Sequence, residues 1–218
     1  MSSTLSTAAV RRLGVYGGAF DPPHQAHVAL AEAAIGQLDL DRLQIVPTGD
    51  AWHKSSDLSP ARHRLRMCEL AFGALSKVQV DARELHRKGP SYTADTLAEL
   101  QSEHVQAELF LLMGADQARD FVRWHQQGPI LRMATLAIAE RSGPGGAQLD
   151  VQNPLPGLCS ELQQQARVQL LTLPALPHSA TQVRTRVASG QDISDLVPPA
   201  VARYIADHQL YSGPSSNP

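Results

Sequence analysis

Short apolar segments that alternate with longer amphipathic ones predict an α/β chain, a doubly wound parallel sheet with helices on both faces. The short segments are 13–16, 43–46, 78–80, 109–113, 135–139 and 168–173. Several are β-branched, as befits strands buried on both sides, although periodicity alone leaves 135–139 open to a helical reading. The residues that carry chemistry cluster just after these strands, where sheets of this kind bind their ligands.

Helical spacing occupies 27–38, 60–75, 93–104 and 115–124. Pro60 suits a first helical turn with Ser59 as its N-cap, and Thr93 is a second candidate N-cap. A further helix runs from a cap at Ser179 or Thr181 to about Val187. A last one starts at Pro198-Pro199 and turns Val201 and Ile205 inward. The stretch 142–157, rich in Gly and Pro, reads as a surface loop. With no repeat and no second domain, residues 11–211 are expected to form one domain, between a disordered lead at 1–10 and a disordered tail at 212–218.

Composition narrows the class. At 218 residues, 43% hydrophobic and 18% charged, the chain is long enough and apolar enough to bury a proper core. Its formal net charge of −2 supplies no basic field for nucleic acid. Cys68 and Cys159 lie far apart without metal-ligand spacing, which argues against a disulfide framework and suits a reducing cytosol. Cys68, in an apolar helical run, reads as a buried and inert thiol. No apolar stretch approaches the roughly 20 residues that span a bilayer, and the Ser- and Thr-rich start does not look like a signal peptide. A cytoplasmic protein with no membrane or nucleic-acid partner is expected.

The first strand runs into Gly17-Gly18-Ala19-Phe20-Asp21-Pro22-Pro23-His24-Gln25-Ala26-His27. The two glycines let the backbone approach a ligand closely, and Pro22-Pro23 stiffens the turn before a helix. His24 and His27 share a face of that helix's first turn, beside the positive end of its dipole, where they suit phosphate oxygens. No Gly-Lys-Ser/Thr follows, so this is not a Walker loop. After the last strand, His178-Ser179-Ala180-Thr181-Gln182-Val183-Arg184 forms a second capped helix start, with Arg184 one turn beyond Thr181 and its fork suited to phosphate.

Both segments resemble signatures of the nucleotidyltransferase superfamily, in which Ser-x-Thr-x-x-Arg binds the ATP phosphates opposite the histidines. Here Ala26 stands where the family usually has Gly, and His178 where it usually has Ile. Other segments are similar to those of bacterial nicotinate mononucleotide adenylyltransferases. Pro47-Thr48-Gly49-Asp50-Ala51-Trp52-His53-Lys54 follows the second strand, and the resemblance implies that His53 and Lys54 neutralise a substrate phosphate. Pro90-Ser91-Tyr92-Thr93-Ala94-Asp95-Thr96-Leu97 opens a helix whose N–H groups would receive the nicotinate carboxylate. No acidic residue except Asp95 is expected beside that turn, and Asp95 is expected to point away as part of the helix's first turn. Gly114-Ala115-Asp116-Gln117 follows the fourth strand; the family's Asp contacts nucleotide hydroxyls, and Trp124 would stack on the pyridine ring. Arg141 matches a family position that reaches the mononucleotide phosphate.

The resemblance spans about residues 12 to 211 and implies a Rossmann-like fold and transfer of AMP from ATP to nicotinate mononucleotide. It assigns His24, His27 and Arg184 to catalysis, with Gly17, Gly18, Ala19, Phe20, Gly114, Asp116, Ser179 and Thr181 around ATP. It also implies Mg²⁺ bridging phosphates, held by phosphate and water rather than by a protein metal site. Oligomeric state is not legible at this level.

Overall fold

The computed structural model describes residues 9–49, 58–141, 150, 152–173, 176 and 178–212, with the side chains of 140 and 141 left out. The predicted lead and tail therefore fall mostly outside the described residues, as does half of the predicted loop at 142–157.

In chain order the elements are β1 (Arg12–Gly18), α1 (Gln25–Gln37), β2 (Arg42–Pro47), α2 (Ala61–Phe72), β3 (Val78–Val80), α3 (Arg83–His86), α4 (Thr93–Glu103) and β4 (Glu108–Gly114). There follow α5 (Ala115–Arg119), a 3-10 turn (Phe121–Arg123), α6 (Gln127–Met133), β5 (Ala134–Arg141), α7 (Ser160–Gln165), β6 (Val168–Leu173), α8 (Ala180–Ala188) and α9 (Pro199–Asp207). The strands lie in the order β3-β2-β1-β4-β5-β6, and every pairing is parallel. This is the doubly wound sheet the alternation predicts, and residues 135–139 are strand.

Side chains alternate across the sheet because the strand period is two. Tyr16, Leu43, Ile45, Phe110 and Leu112 pack on one side against Leu30, Met67, Phe72, Val201 and Ile205 of α1, α2 and α9. Leu13, Val15, Leu109, Leu111 and Met113 pack on the other against Leu97, Leu100, Phe121 and Ile130. Both faces are covered, so neither face of the strands needs polar residues. Cys68 lies in the first of these cores, and burial pushes its thiol pKa upward, in keeping with an inert role. At the β6 edge Gln37 bonds the Thr172 backbone twice, its amide donating to the carbonyl at 2.9 Å and its oxygen accepting the N–H at 3.0 Å. That side chain covers polar groups an edge strand would leave exposed.

Several local readings need correction. The predicted helix 115–124 is broken. After Arg119, i→i+3 bonds from Arg123 to Asp120 and from Trp124 to Phe121 replace the α ladder, turning Phe121 wholly into the core. Trp124 leaves that turn extended. Ser59 does not cap α2: it stands one residue before the N-cap, its side chain bonds Tyr211, its N–H donates to Asp21 and its carbonyl accepts from Arg64. Pro60 is the N-cap rather than a first-turn residue, and α2 stops at Phe72. Thr93 is the first residue of α4, after an extended Tyr92. Of the two caps proposed for α8, Ser179 is the one used, accepting the Gln182 N–H at 3.2 Å. Helices α3, α6 and α7 have 4, 7 and 6 residues, too few for apolar periodicity to announce them.

Candidate active site

Strand order reverses between β1 and β4, and a crevice opens beyond their carboxyl ends. Two cavities of about 470 and 480 Å³ meet there and share Gly17, Gly18, Ala19, Asp116 and Gln117 as a common wall.

The second cavity is built for anions. Beyond β1 the chain turns through Phe20, held at φ 47°, and enters α1 by an extended His24. Phe20 lines the cavity, yet its ring is buried edge-on to His27, with centroids 5.1 Å apart. The His24 N–H donates to His27 Nδ1 at 3.2 Å, and the two rings stack at 3.7 Å. Because Nδ1 accepts, the neutral His27 ring carries its proton on Nε2. The start of α8 lines the same cavity through Ser179, Thr181 and Arg184. Gly114 joins them from the end of β4.

Arg184 links the two chain ends. Its Nη1 donates to the Asp21 carbonyl at 2.7 Å and its Nη2 to the Thr181 hydroxyl at 3.3 Å. The Asp21 carboxylate is buried and accepts from the Ser59 N–H at 3.0 Å and the Tyr211 hydroxyl at 2.5 Å. Arg64, also buried, donates to the carbonyls of Ala19, Thr48 and Ser59 at 3.0, 2.8 and 3.0 Å. It thereby ties the loops after β1 and β2 together. Burying a guanidinium is costly unless its donors are matched, and these carbonyls match them.

The first cavity lies on the α4 side. Tyr92 and Thr93 line it at the helix start, with Trp124 part-packed against Phe121, at a centroid distance of 5.4 Å. His125 adds a ring 4.3 Å from that of Tyr92, and Arg123 and Asp120 complete the rim. Asp116 pairs with Arg119 at the junction of the two cavities.

Glu84 corrects the expectation that Asp95 is the only acid near this turn. Asp95 is exposed and does not line the cavity, whereas Glu84 does line it and is buried. Burial raises the Glu84 pKa, while the Thr96 hydroxyl, which donates to it at 2.7 Å, and the Arg87 charge pull it back down. Arg87 also donates to that Thr96 hydroxyl, at 3.3 Å.

Gly49 shows how closely the loop after β2 packs here: a Cβ on it would stand 2.1 Å from the Glu84 carbonyl oxygen. Backbone cannot yield as a flexible side chain can. Gly49→Ala is therefore expected to cost about 1–3 kcal/mol, a fall in Tm of about 2–12 °C in a chain this size. A thermal melt checks this, and a wild-type Tm would show that the loop moves aside freely.

The structure thus brings most of the sequence-picked residues to one crevice, in two groups. His53 and Lys54 lie outside the described residues, and Arg141 ends β5 with its side chain undescribed. Sequence reasoning missed Glu84, Arg64, His125 and Tyr211. The signal for Glu84 and Arg64 was faint, a charged residue on a helix's inward face.

A model of cytidylyltransferase-like proteins matches residues 15–186. A "Probable nicotinate-nucleotide adenylyltransferase" of Albidiferax ferrireducens is 48% identical over 204 residues, covering 93% of this chain and 98% of that protein. One of the same name from Bordetella petrii is 40% identical over 205 residues, covering 93% of this chain and 100% of that protein. Among solved structures, the Plasmodium falciparum nicotinic acid mononucleotide adenylyltransferase complexed with NaAD aligns at TM-score 0.68, with 20% identity, over 92% of this chain and 97% of that one. At that identity the likeness shows the fold alone.

Proposed function

The chain belongs to the cytidylyltransferase-like family and, within it, to the nicotinate-nucleotide adenylyltransferases, and from that membership we propose how its crevice works. The enzyme transfers AMP from ATP to nicotinate mononucleotide, giving nicotinate adenine dinucleotide and pyrophosphate, a step of NAD biosynthesis. The observation that carries the mechanistic reading is the pair of cavities with a common glycine-rich wall. One is lined by two stacked histidines and an arginine, the other by aromatic rings and a helix start.

A phosphate oxygen of the mononucleotide attacks the α-phosphorus of ATP. One P–O bond forms, the bond to the β-phosphate bridge breaks, and pyrophosphate leaves with the electron pair. The nucleophile is already anionic at neutral pH, so the reaction needs no general base. The protein's work is to hold two polyanions in line and neutralise their charge.

His24, His27 and Arg184 are placed on the ATP phosphates, with Ser179 and Thr181 offering the α8 start. Gly17, Gly18, Ala19 and the Phe20 backbone admit the nucleotide closely, and Gly114 and Asp116 face its hydroxyls. Tyr92 and Thr93 receive the nicotinate carboxylate, and Trp124 stacks on the pyridine ring. His53, Lys54 and Arg141 are assigned to the acceptor phosphate.

Mg²⁺ belongs to the same proposal. Among the described residues no three His, Cys, Asp or Glu converge, and both Asp21 oxygens already hold donors. An ion carried in by the phosphates and water would supply charge neutralisation there. No helix among the described residues is long and apolar enough to cross a membrane. A cytoplasmic enzyme without a nucleic-acid partner completes the reading.

The deciding experiment mixes the protein with Mg·ATP and nicotinate mononucleotide and follows pyrophosphate release. Turnover is expected with this pair, and not with CTP or with pantetheine phosphate as acceptor. Nucleotide binding without pyrophosphate release would mark a sensing module instead.

A further inference from the structure

The residue that joins Arg184 to the phosphate loop is Asp21, and its carboxylate is held in part from the far end of the chain. Tyr211 lies 190 positions away, beyond α9, and its hydroxyl donates to Asp21 Oδ1 at 2.5 Å. The other oxygen takes the Ser59 N–H. The Asp21 main-chain carbonyl accepts from Arg184. One buried residue therefore has its side chain fixed by two donors and its peptide read by the arginine.

The backbone takes left-handed conformations near both ends of this contact. Phe20 precedes Asp21 at φ 47°, and Gln209 and Tyr211 stand at φ 49° and 63°. Non-glycine residues hold such left-handed conformations only where their surroundings over-determine them. The Leu210 N–H, bonded to the Ile205 carbonyl at 3.0 Å, anchors the bend to α9.

We infer that Tyr211 is a positioning residue for the ATP phosphates, acting through Asp21 on Arg184. The inference rests on the adenylyl-transfer reading of this crevice. Arg184 is held at two points, the Asp21 carbonyl and the Thr181 hydroxyl, and two points set the plane of a guanidinium. A change in the Asp21 peptide would rotate that plane away from the phosphates, at no cost in charge. Burial and the Asp21 carboxylate push the Tyr211 phenol pKa upward, so the hydroxyl remains a donor throughout the working pH range. The ring itself packs on the core beside Leu210, a contact that survives removal of the oxygen.

Tyr211→Phe removes only the hydroxyl, which bonds Asp21 and the Ser59 side chain. A hydrogen bond to a charged group lost in this way is expected to weaken Mg·ATP binding about tenfold by calorimetry. The KM for nicotinate mononucleotide should stay within about twofold, because Ser59 keeps its own oxygen of Asp21. On an Arg184→Ala background the same substitution should change ATP affinity less than about twofold, since the group it positions is gone. Asp21→Asn, whose single amide oxygen cannot serve both donors, should repeat the ATP loss and the same dependence on Arg184.

Wild-type ATP affinity in Tyr211→Phe and Asp21→Asn would overturn the inference, as would an undiminished tenfold loss on the Arg184→Ala background. If the wild-type protein binds Mg·ATP in this Tyr211-dependent way yet releases no pyrophosphate, adenylyl transfer fails and the inference stands. Normal turnover with an indifferent Tyr211 is the reverse case.

Discussion

His24→Ala and His27→Ala are each expected to lower turnover about 100- to 1,000-fold while the protein stays folded, the usual effect of removing one donor to transition-state charge. The motivation is geometric: the rings stack at 3.7 Å at the start of α1, in the cavity that also holds Arg184. The competing effect is structural damage. His24 is buried, and His27 accepts the His24 N–H, so truncation leaves a small void or an unmatched donor. Those losses amount to about 1–3 kcal/mol, against about 5–15 kcal/mol for a domain, so most molecules remain folded. Turnover measured beside a thermal melt separates the two. Near-normal turnover in both folded variants would place the phosphate chemistry elsewhere.

The second large effect is a preference of about 10- to 100-fold for nicotinate mononucleotide over its amide, from dipole and hydrogen-bond contributions of about 1–3 kcal/mol. The amide would present N–H donors to N–H donors at the start of α4. Buried Glu84 opposes this preference, since an ionised carboxyl lining the same cavity repels an acid. The donors are expected to win, because the Glu84 carboxyl already accepts from Thr96 and its charge is offset by Arg87. Glu84→Gln should then widen the preference for the acid. Catalytic efficiencies for the two mononucleotides under identical Mg·ATP decide it, and equal values in the wild-type protein would sink the acid-selective assignment of Tyr92 and Thr93.

The sheet was legible because parallel strands covered on both faces must be apolar throughout. Segments such as 109–113 therefore stand out without reference to the rest of the chain. The phosphate motifs were legible for a similar reason: His24 and His27, or Thr181 and Arg184, meet across a single helical turn, a distance that sequence spacing encodes. Nothing in that spacing announces α3, with only four residues, or the break after Arg119 that sets Trp124 at the cavity wall. Nor does it pair Asp21 with Tyr211, Arg64 with the carbonyls of Ala19 and Thr48, or Glu84 with Thr96 across the α3–α4 connection. Local sequence determined which elements form and which groups face a helix start, since periodicity and capping act within a few residues. The partners of buried polar groups were decided by tertiary structure alone. A carboxylate or guanidinium taken out of water must be matched, and the match comes from whichever loops the strand order brings to the same end of the sheet.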